Sequence, residues 1–300
     1  MSGTVKAADR VETPFQRFVS EFSESRLALL GLVVMVAIIL AAVFAPWITP
    51  QNPYDLAQLD IMDGRLAPGS PSATGYTYLL GTDDQGRDMF SGILYGLRIS
   101  LTVGVGSALV AGLIGSSLGL LSAYAGGRTD SIIMRLVDLQ LSFPAILVAL
   151  IILAFLGKSV FNVVLALVIV EWAYYARPVR GTALVERNRE YIEAAECLAI
   201  PRYRILFRHL LPNCLPPLIV IGTQQVARAI ALEATLSFLG LGVPITEPSL
   251  GLLIANGYQY MLSGKYWISF YPGIALLVTI IALNLVGDQL RDVLNPRLQR

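Results

Sequence analysis

The sequence predicts an all-α polytopic membrane protein with six transmembrane helices. Three observations carry that expectation. Hydrophobic residues make up 55% of the 300-residue chain and charged residues only 14%, against about 25% charged in a soluble domain. Six stretches are mainly apolar and approach or exceed the roughly 20 residues that a bilayer crossing needs. Lys and Arg are spread unevenly over the segments that connect them, as the positive-inside rule describes.

In order, the stretches are 27–47, 99–123, 132–156, 160–176, 215–242 and 268–287. The first follows Arg26 and outruns a signal-peptide core of about 7–15 residues. Val43-Phe44-Ala45 resembles a cleavage site, but Pro46 follows at once, so an uncleaved first span is expected. The fourth stretch is the shortest. With the N-terminal segment 1–26 in the cytoplasm, 16 Lys and Arg fall on the cytoplasmic side and five outside, with Arg228 inside a span. Both termini are then cytoplasmic, with 288–300 as a tail. Residues 48–98 become a long periplasmic loop rich in Asp, whose Pro and Gly content predicts an ordered loop.

Several function classes are excluded early. A net charge of +1 gives no global field for nucleic acid. One histidine and two cysteines, Cys197 and Cys214, cannot build a metal centre or a disulfide framework, so both cysteines are expected to be small hydrophobes. Gly157-Lys158-Ser159 resembles the end of a phosphate-binding loop, but Ile152 stands where that motif begins with Gly. No nucleotide site or other cofactor site is expected, and any ATP chemistry belongs to another polypeptide.

The second span carries small residues at every fourth position: Ser107, Ala111, Gly115, Gly119 and Ala123. Lipid supplies no hydrophobic drive for helix association, so close backbone approach must supply it. The stripe predicts a flat packing face, either for a helix of this chain or for a second membrane subunit.

Charged residues within spans are costly and tend to face a bundle interior or a water-filled path. Asp138 is expected to pair locally with Arg135. Glu171 either pairs or snorkels near Arg177 or lines a path. Arg228 and Glu233 lie five apart, about 140° round a helix, so they need not face each other. Glu171, Arg228 and Glu233 are therefore candidates for a translocation path. No nucleophile–base pair or other catalytic constellation is present among them.

Residues 177–212 are a polar interlude with seven arginines. Residues 182–198 are rich in helix formers. Ala199-Ile200-Pro201 interrupts them, and Pro201 suits the start of a second helix. The expectation is helix, break, basic helix, roughly parallel to the membrane plane, with Pro212 leading into the fifth span. Such an element fits either lipid headgroups or the docking of a soluble partner.

Glu193-Ala194-Ala195, then Ala199, then His209-Leu210-Leu211-Pro212 resembles the EAA loop of ABC importer permeases. The family pattern has Gly where this chain has Ala199, and usually Ile at His209. Three further stretches resemble the C-type permease subunit of dipeptide/oligopeptide importers. They are Leu80-Gly81-Thr82-Asp83-Asp84-Gln85-Gly86-Arg87-Asp88, Leu236 to Gly242, and Gly287 to Pro296. The family often has Arg at the position of Gly92.

The resemblance implies a type I ABC importer fold with a permease core over 99–287. It implies pairing with a second, homologous permease subunit and contact with two cytoplasmic ATP-binding subunits. A periplasmic or lipid-anchored binding protein would deliver peptide. The ATPase contact would be Tyr191, Glu193, Ala194, Ala195, Ala199, Pro201 and Arg202, closed by Pro212. Nickel or glutathione importers share this subunit type. A proton-coupled secondary transporter, with Glu171 and Glu233 as carriers, is the alternative from another class.

Overall fold

The computed structural model describes residues 13–72, 75–247 and 249–294. α1 (Pro14–Ser23) begins at Thr13, which exchanges two capping hydrogen bonds with Gln16. That reciprocal pair satisfies backbone donors the first turn would leave open. α2 (Arg26–Val43) is the first apolar span, and the single turn α3 (Ala45–Ile48) ends it at Pro46. A loop follows, with a small antiparallel ladder of β1 (Ser70–Pro71) on β2 (Thr77–Tyr78).

α4 (Met89–Ala125) starts ten residues before the stretch expected from hydropathy, because Asp88 caps it. The third stretch is not one rod. α5 (Gly127–Ser142) and α6 (Ala145–Leu156) meet at a 90° bend. The residue before a proline avoids helical geometry, and Phe143, ahead of Pro144, is extended at φ −96°, ψ 141°. α7 (Val160–Arg187) runs through Pro178 and absorbs the first part of the polar interlude. Then come α8 (Glu190–Cys197), the single turn α9 (Arg202–Arg204), a π-helical stretch at Ile205–Leu210 and α10 (Leu211–Phe238).

Residues 202–238 are continuous helix, so the basic segment is the lower shaft of the fifth span. Pro212 is the second residue of α10 and makes no break there. The helix runs through it, and the π geometry of the preceding turn accommodates the missing N–H. α11 (Leu250–Tyr258) is a short helix dipping between the fifth and sixth spans, too short to register as a span. α12 (Trp267–Leu294) completes the bundle. Among the described residues, five helices are long and apolar enough to cross a membrane, and the bent α5–α6 pair makes a sixth.

The bundle is organised by α4 against α7. Ser107, Ala111, Gly115, Gly119 and Ala123 are all buried. A Cβ at Gly115 would sit 2.2 Å from the Trp172 carbonyl, and one at Gly119 would sit 2.5 Å from that of Ala176. The stripe therefore serves contact within this chain rather than with a second subunit. α10 packs on α4, α7 and α12, and α2 packs on α12 through Gly31 against Leu285. Outward-facing Leu113, Phe155 and Leu277 are exposed, as expected of a lipid-facing surface.

Candidate functional site

At the arginine-rich end, the α8 segment rests on the ends of α4, α7 and α10. Ile192 and Ala195 point inward to Leu120, Val179, Ala183, Ile205, Leu210 and Cys214. Tyr191, Glu193 and Ala194 face outward. The sequence builds this by placing apolar residues three apart on a short helix. α8 ends in a Schellman cap. The Ile200 amide donates to the Ala195 carbonyl at 3.1 Å, and that of Ala199 donates to Glu196 at 2.9 Å. The cap needs a left-handed residue, usually Gly, and Ala199 occupies it at φ +53°. Gly240 makes the same cap on α10 at φ +78°, with Leu241 donating to Leu236 at 3.0 Å.

Polar ties hold this segment to its supports. The Tyr191 hydroxyl donates to Glu186 at 2.9 Å and accepts from Asn213 at 3.0 Å. Desolvation, with the Glu186 carboxylate beside it, pushes the Tyr191 hydroxyl up to about 12, so it remains a donor at neutral pH. Arg187 donates to the Ala123 carbonyl at 2.9 Å, closing the end of α4, and stacks on Tyr124. Arg180 grips Asp130 through two nitrogens, one at 2.6 Å, and Ser122 bonds the same carboxylate. Arg187, Glu196 and Arg202 line a groove of about 640 Å³ between α4 and the cap. Pro201 and Arg202 are exposed at its rim.

The charged residues at mid-depth separate into three situations. Asp138 pairs with Arg177, not Arg135. A partner 39 residues away on α7 wins because the α5–α6 bend lays α5 beside it. Glu233 is fully buried and accepts from Ser100 at 2.9 Å and Ser237 at 2.7 Å. It faces packed protein. Glu171 is also fully buried, and neither carboxylate oxygen has a hydrogen-bond partner. Arg228 is half-buried; it donates to the Tyr174 hydroxyl at 2.7 Å, with its guanidinium 3.9 Å from the ring centre. Of the three expected path residues, only Arg228 reaches a surface.

At the opposite end, residues 80–88 form a knot that the sequence motif alone does not reveal. Asp83 and Arg87 make a buried ion pair at 2.6 Å. Asp88 caps α4 by accepting from the Ser91 amide at 2.8 Å. Gly86 is required twice over: it has φ +77°, and a Cβ would lie 2.0 Å from the Asp60 carbonyl. Burial raises the Asp84 carboxyl above its ordinary range, and the negative Asp83 adds to it. Burial raises Asp88 too, opposed by its hydrogen bonds to Ser91. Cys197 is exposed and Cys214 buried, both as free thiols.

A bundle of apolar spans with a capped helix standing out at one end is the architecture of an integral membrane protein. Residues 115–300 match the family described as binding-protein-dependent transport system inner membrane component, and residues 13–68 match the N-terminal TM domain of oligopeptide transport permease C. The chain belongs to the binding-protein-dependent transport system inner membrane component family. It is an inner-membrane permease subunit of the ABC importer type and not an enzyme.

Among its relatives, the di/tripeptide transport system permease protein DppC of Pseudomonas aeruginosa is 38% identical over 96% of this chain and 93% of its own. The dipeptide transport system permease protein DppC of Escherichia coli K12 is 40% identical over 96% and 95%. The probable D,D-dipeptide transport system permease protein DdpC of the same strain is 40% identical over 91% and 88%. A solved structure of the MetNI methionine ABC transporter, in an inward-facing conformation, aligns over 69% of this chain and 98% of its own at TM-score 0.57 and 20% identity. The shared fold is the type I importer permease fold.

Proposed function

We propose that this chain is one half of the path by which an ATP-driven importer carries dipeptides or oligopeptides across the inner membrane. A second, homologous permease subunit forms the other half. Two cytoplasmic ATP-binding subunits work below, and a periplasmic or lipid-anchored binding protein delivers the peptide. The names and identities of the relatives support the cargo class. In this reading the termini and the arginine-rich end are cytoplasmic, and 48–98 is the periplasmic loop.

The observation that carries the coupling role is the two-sided α8. Its inner face is cemented to three helix ends through Ile192 and Ala195, while Glu193 and Ala194 are free to meet a partner. A rigid element fixed on one face and open on the other transmits displacement to the spans. Tyr191, Ala199, Pro201 and Arg202 shape that element, and Pro212 joins it to α10. The chain supplies a bistable scaffold, and nucleotide closure of the ATPases shifts its population.

Reconstitution tests this. The chain, its permease partner, the ATPases and the binding protein are placed in vesicles, and labelled dipeptide uptake is measured. Uptake that requires ATP and every component supports the reading. Uptake by this chain alone, or uptake that survives ATP depletion and collapses with an uncoupler, overturns it.

A further inference from the structure

The face of α10 around Arg228 is polar at mid-depth and only partly covered by the described residues. Gln224, Arg228, Ala231 and Thr235 recur at four- and three-residue intervals, which places them on one side of the helix. Gln224 and Thr235 are exposed, and Arg228 and Ala231 are half-buried. The rest of the helix looks inward through Ala227, Ile230, Ala234 and Leu236. A row of Gln, Arg and Thr is costly against hydrocarbon, and intramembrane cations line cavities or meet anions.

Arg228 has no anion of its own. Among the described residues it makes no ion pair, and its hydrogen bond goes to a neutral tyrosine. Glu171, on α7, is fully buried, and both of its oxygens lack a hydrogen-bond partner. Tyr174 holds the cation in place from two directions, by its hydroxyl and by its ring face. A planar guanidinium held by its aromatic neighbour is preorganised for bidentate binding of a carboxylate.

We propose that Arg228, braced on Tyr174, receives the C-terminal carboxylate of the peptide as it passes mid-depth of the path. This rests on the peptide reading of the preceding subsection. The contact uses the one anionic group that every unmodified peptide shares, so it recognises the class without regard to side chains. Gln224 and Thr235, above and below on the same face, offer hydrogen bonds to the peptide backbone.

The test uses the complete transporter in vesicles. The binding protein is preloaded with a dipeptide or with the same dipeptide amidated at its C-terminus, and its occupancy is measured for each. Arg228→Gln is expected to cut uptake of the free dipeptide about ten-fold, the worth of one hydrogen bond to a charged group. Amide uptake should change less than about two-fold, and ATPase stimulation by the loaded binding protein should persist. Equal loss for both peptides, loss of assembly, or no loss overturns the proposal. Equal loss or failed assembly points instead to an acidic residue of the partner subunit as the mate of Arg228.

Arg228→Lys decides the matter if the amide does not load. Uptake several-fold above the Gln variant but below wild type, since Lys keeps the charge and loses the planar fork, with thermal stability of the Gln and Lys complexes alike, supports the carboxylate contact. A Lys variant as poor as the Gln variant overturns it. If the wild-type complex moves no peptide at all, the peptide reading fails, and this inference fails with it.

Discussion

The indole N–H of Trp267 donates to the Thr82 carbonyl at 3.2 Å, joining the head of α12 to the knot before α4 across 185 residues of sequence. Trp267 is buried and packs on Met89 and Ile268. The bond fixes the loop before α4 to the last span. Trp267→Phe keeps most of the packing and leaves the carbonyl unpartnered, at a cost of about 1–3 kcal/mol. Hydrogen exchange over residues 80–88 should accelerate, while exchange in α8 should not change. Unchanged protection at 80–88 would show that the bond does not hold the knot.

Ala199 pays a conformational cost that Gly would not. A left-handed residue with a Cβ is disfavoured by roughly 1–2 kcal/mol. Ala199→Gly should therefore raise stability by about 0.5–1 kcal/mol after the entropy of the unfolded chain is counted. Ala199→Val should lower it, because a branched residue fits that region worst. Thermal unfolding of the purified complex reads both. A Gly variant less stable than wild type would contradict the strain.

Gly115 and Gly119 allow α4 and α7 to touch backbone to backbone. Gly115→Ala is expected to cost at least the 1–3 kcal/mol typical of overpacking. Gly106→Ala is the control, since nothing lies within 4 Å of its would-be Cβ. Monodisperse yield and melting temperature should fall for the first and hold for the second. Equal behaviour of the two would argue against close approach.

Asp84 has a carboxyl raised by burial, with Oδ1 buried and unpartnered. The folded state then binds its proton more readily than the unfolded state. Its contribution to stability is full below the ordinary carboxylate pKa and is lost as pH rises through the raised one. Asp84→Asn should be more stable than wild type at pH 7, and the advantage should shrink as pH falls toward 4. A difference independent of pH would remove ionisation as the cause.

Glu193 and Ala195 lie on opposite sides of α8 and should fail differently. Glu193→Lys alters only the open face. It should lower uptake while leaving the melting temperature and membrane insertion intact. Ala195→Asp drives a carboxylate into the cluster beneath, where an unpaired charge is not tolerated. It should lower both uptake and stability. Normal transport in Glu193→Lys would count against docking at this face.

The sequence made the spans legible because bilayer crossing demands long apolar runs. It did not locate their ends, because capping and tertiary contact override hydropathy there. Asp88 starts α4 inside a polar motif, and α7 runs on past Pro178 to Arg187. The 90° turn had a signal, Phe143 before Pro144, that a window of averaged hydropathy smooths away. α11 carried no signal of its own, being nine residues long. The spacing of small residues on α4 marked a flat face without naming its mate, and the mate is α7. The Asp138–Arg177 pair and the Ser100–Glu233 bond were out of reach, since each joins segments distant in sequence.

Glu233 has a mechanical consequence. Its carboxylate rivets Ser100 of α4 to Ser237 of its own helix in a site with no water exposure. Those two helices must travel as a single lever around this contact, because shearing them would strand a buried acid. Whatever rocking the permease performs is thereby pushed to its soft places: the elbow at Phe143–Pro144 and the widened turn at Ile205–Leu210, the latter beside α8 where a motor would pull.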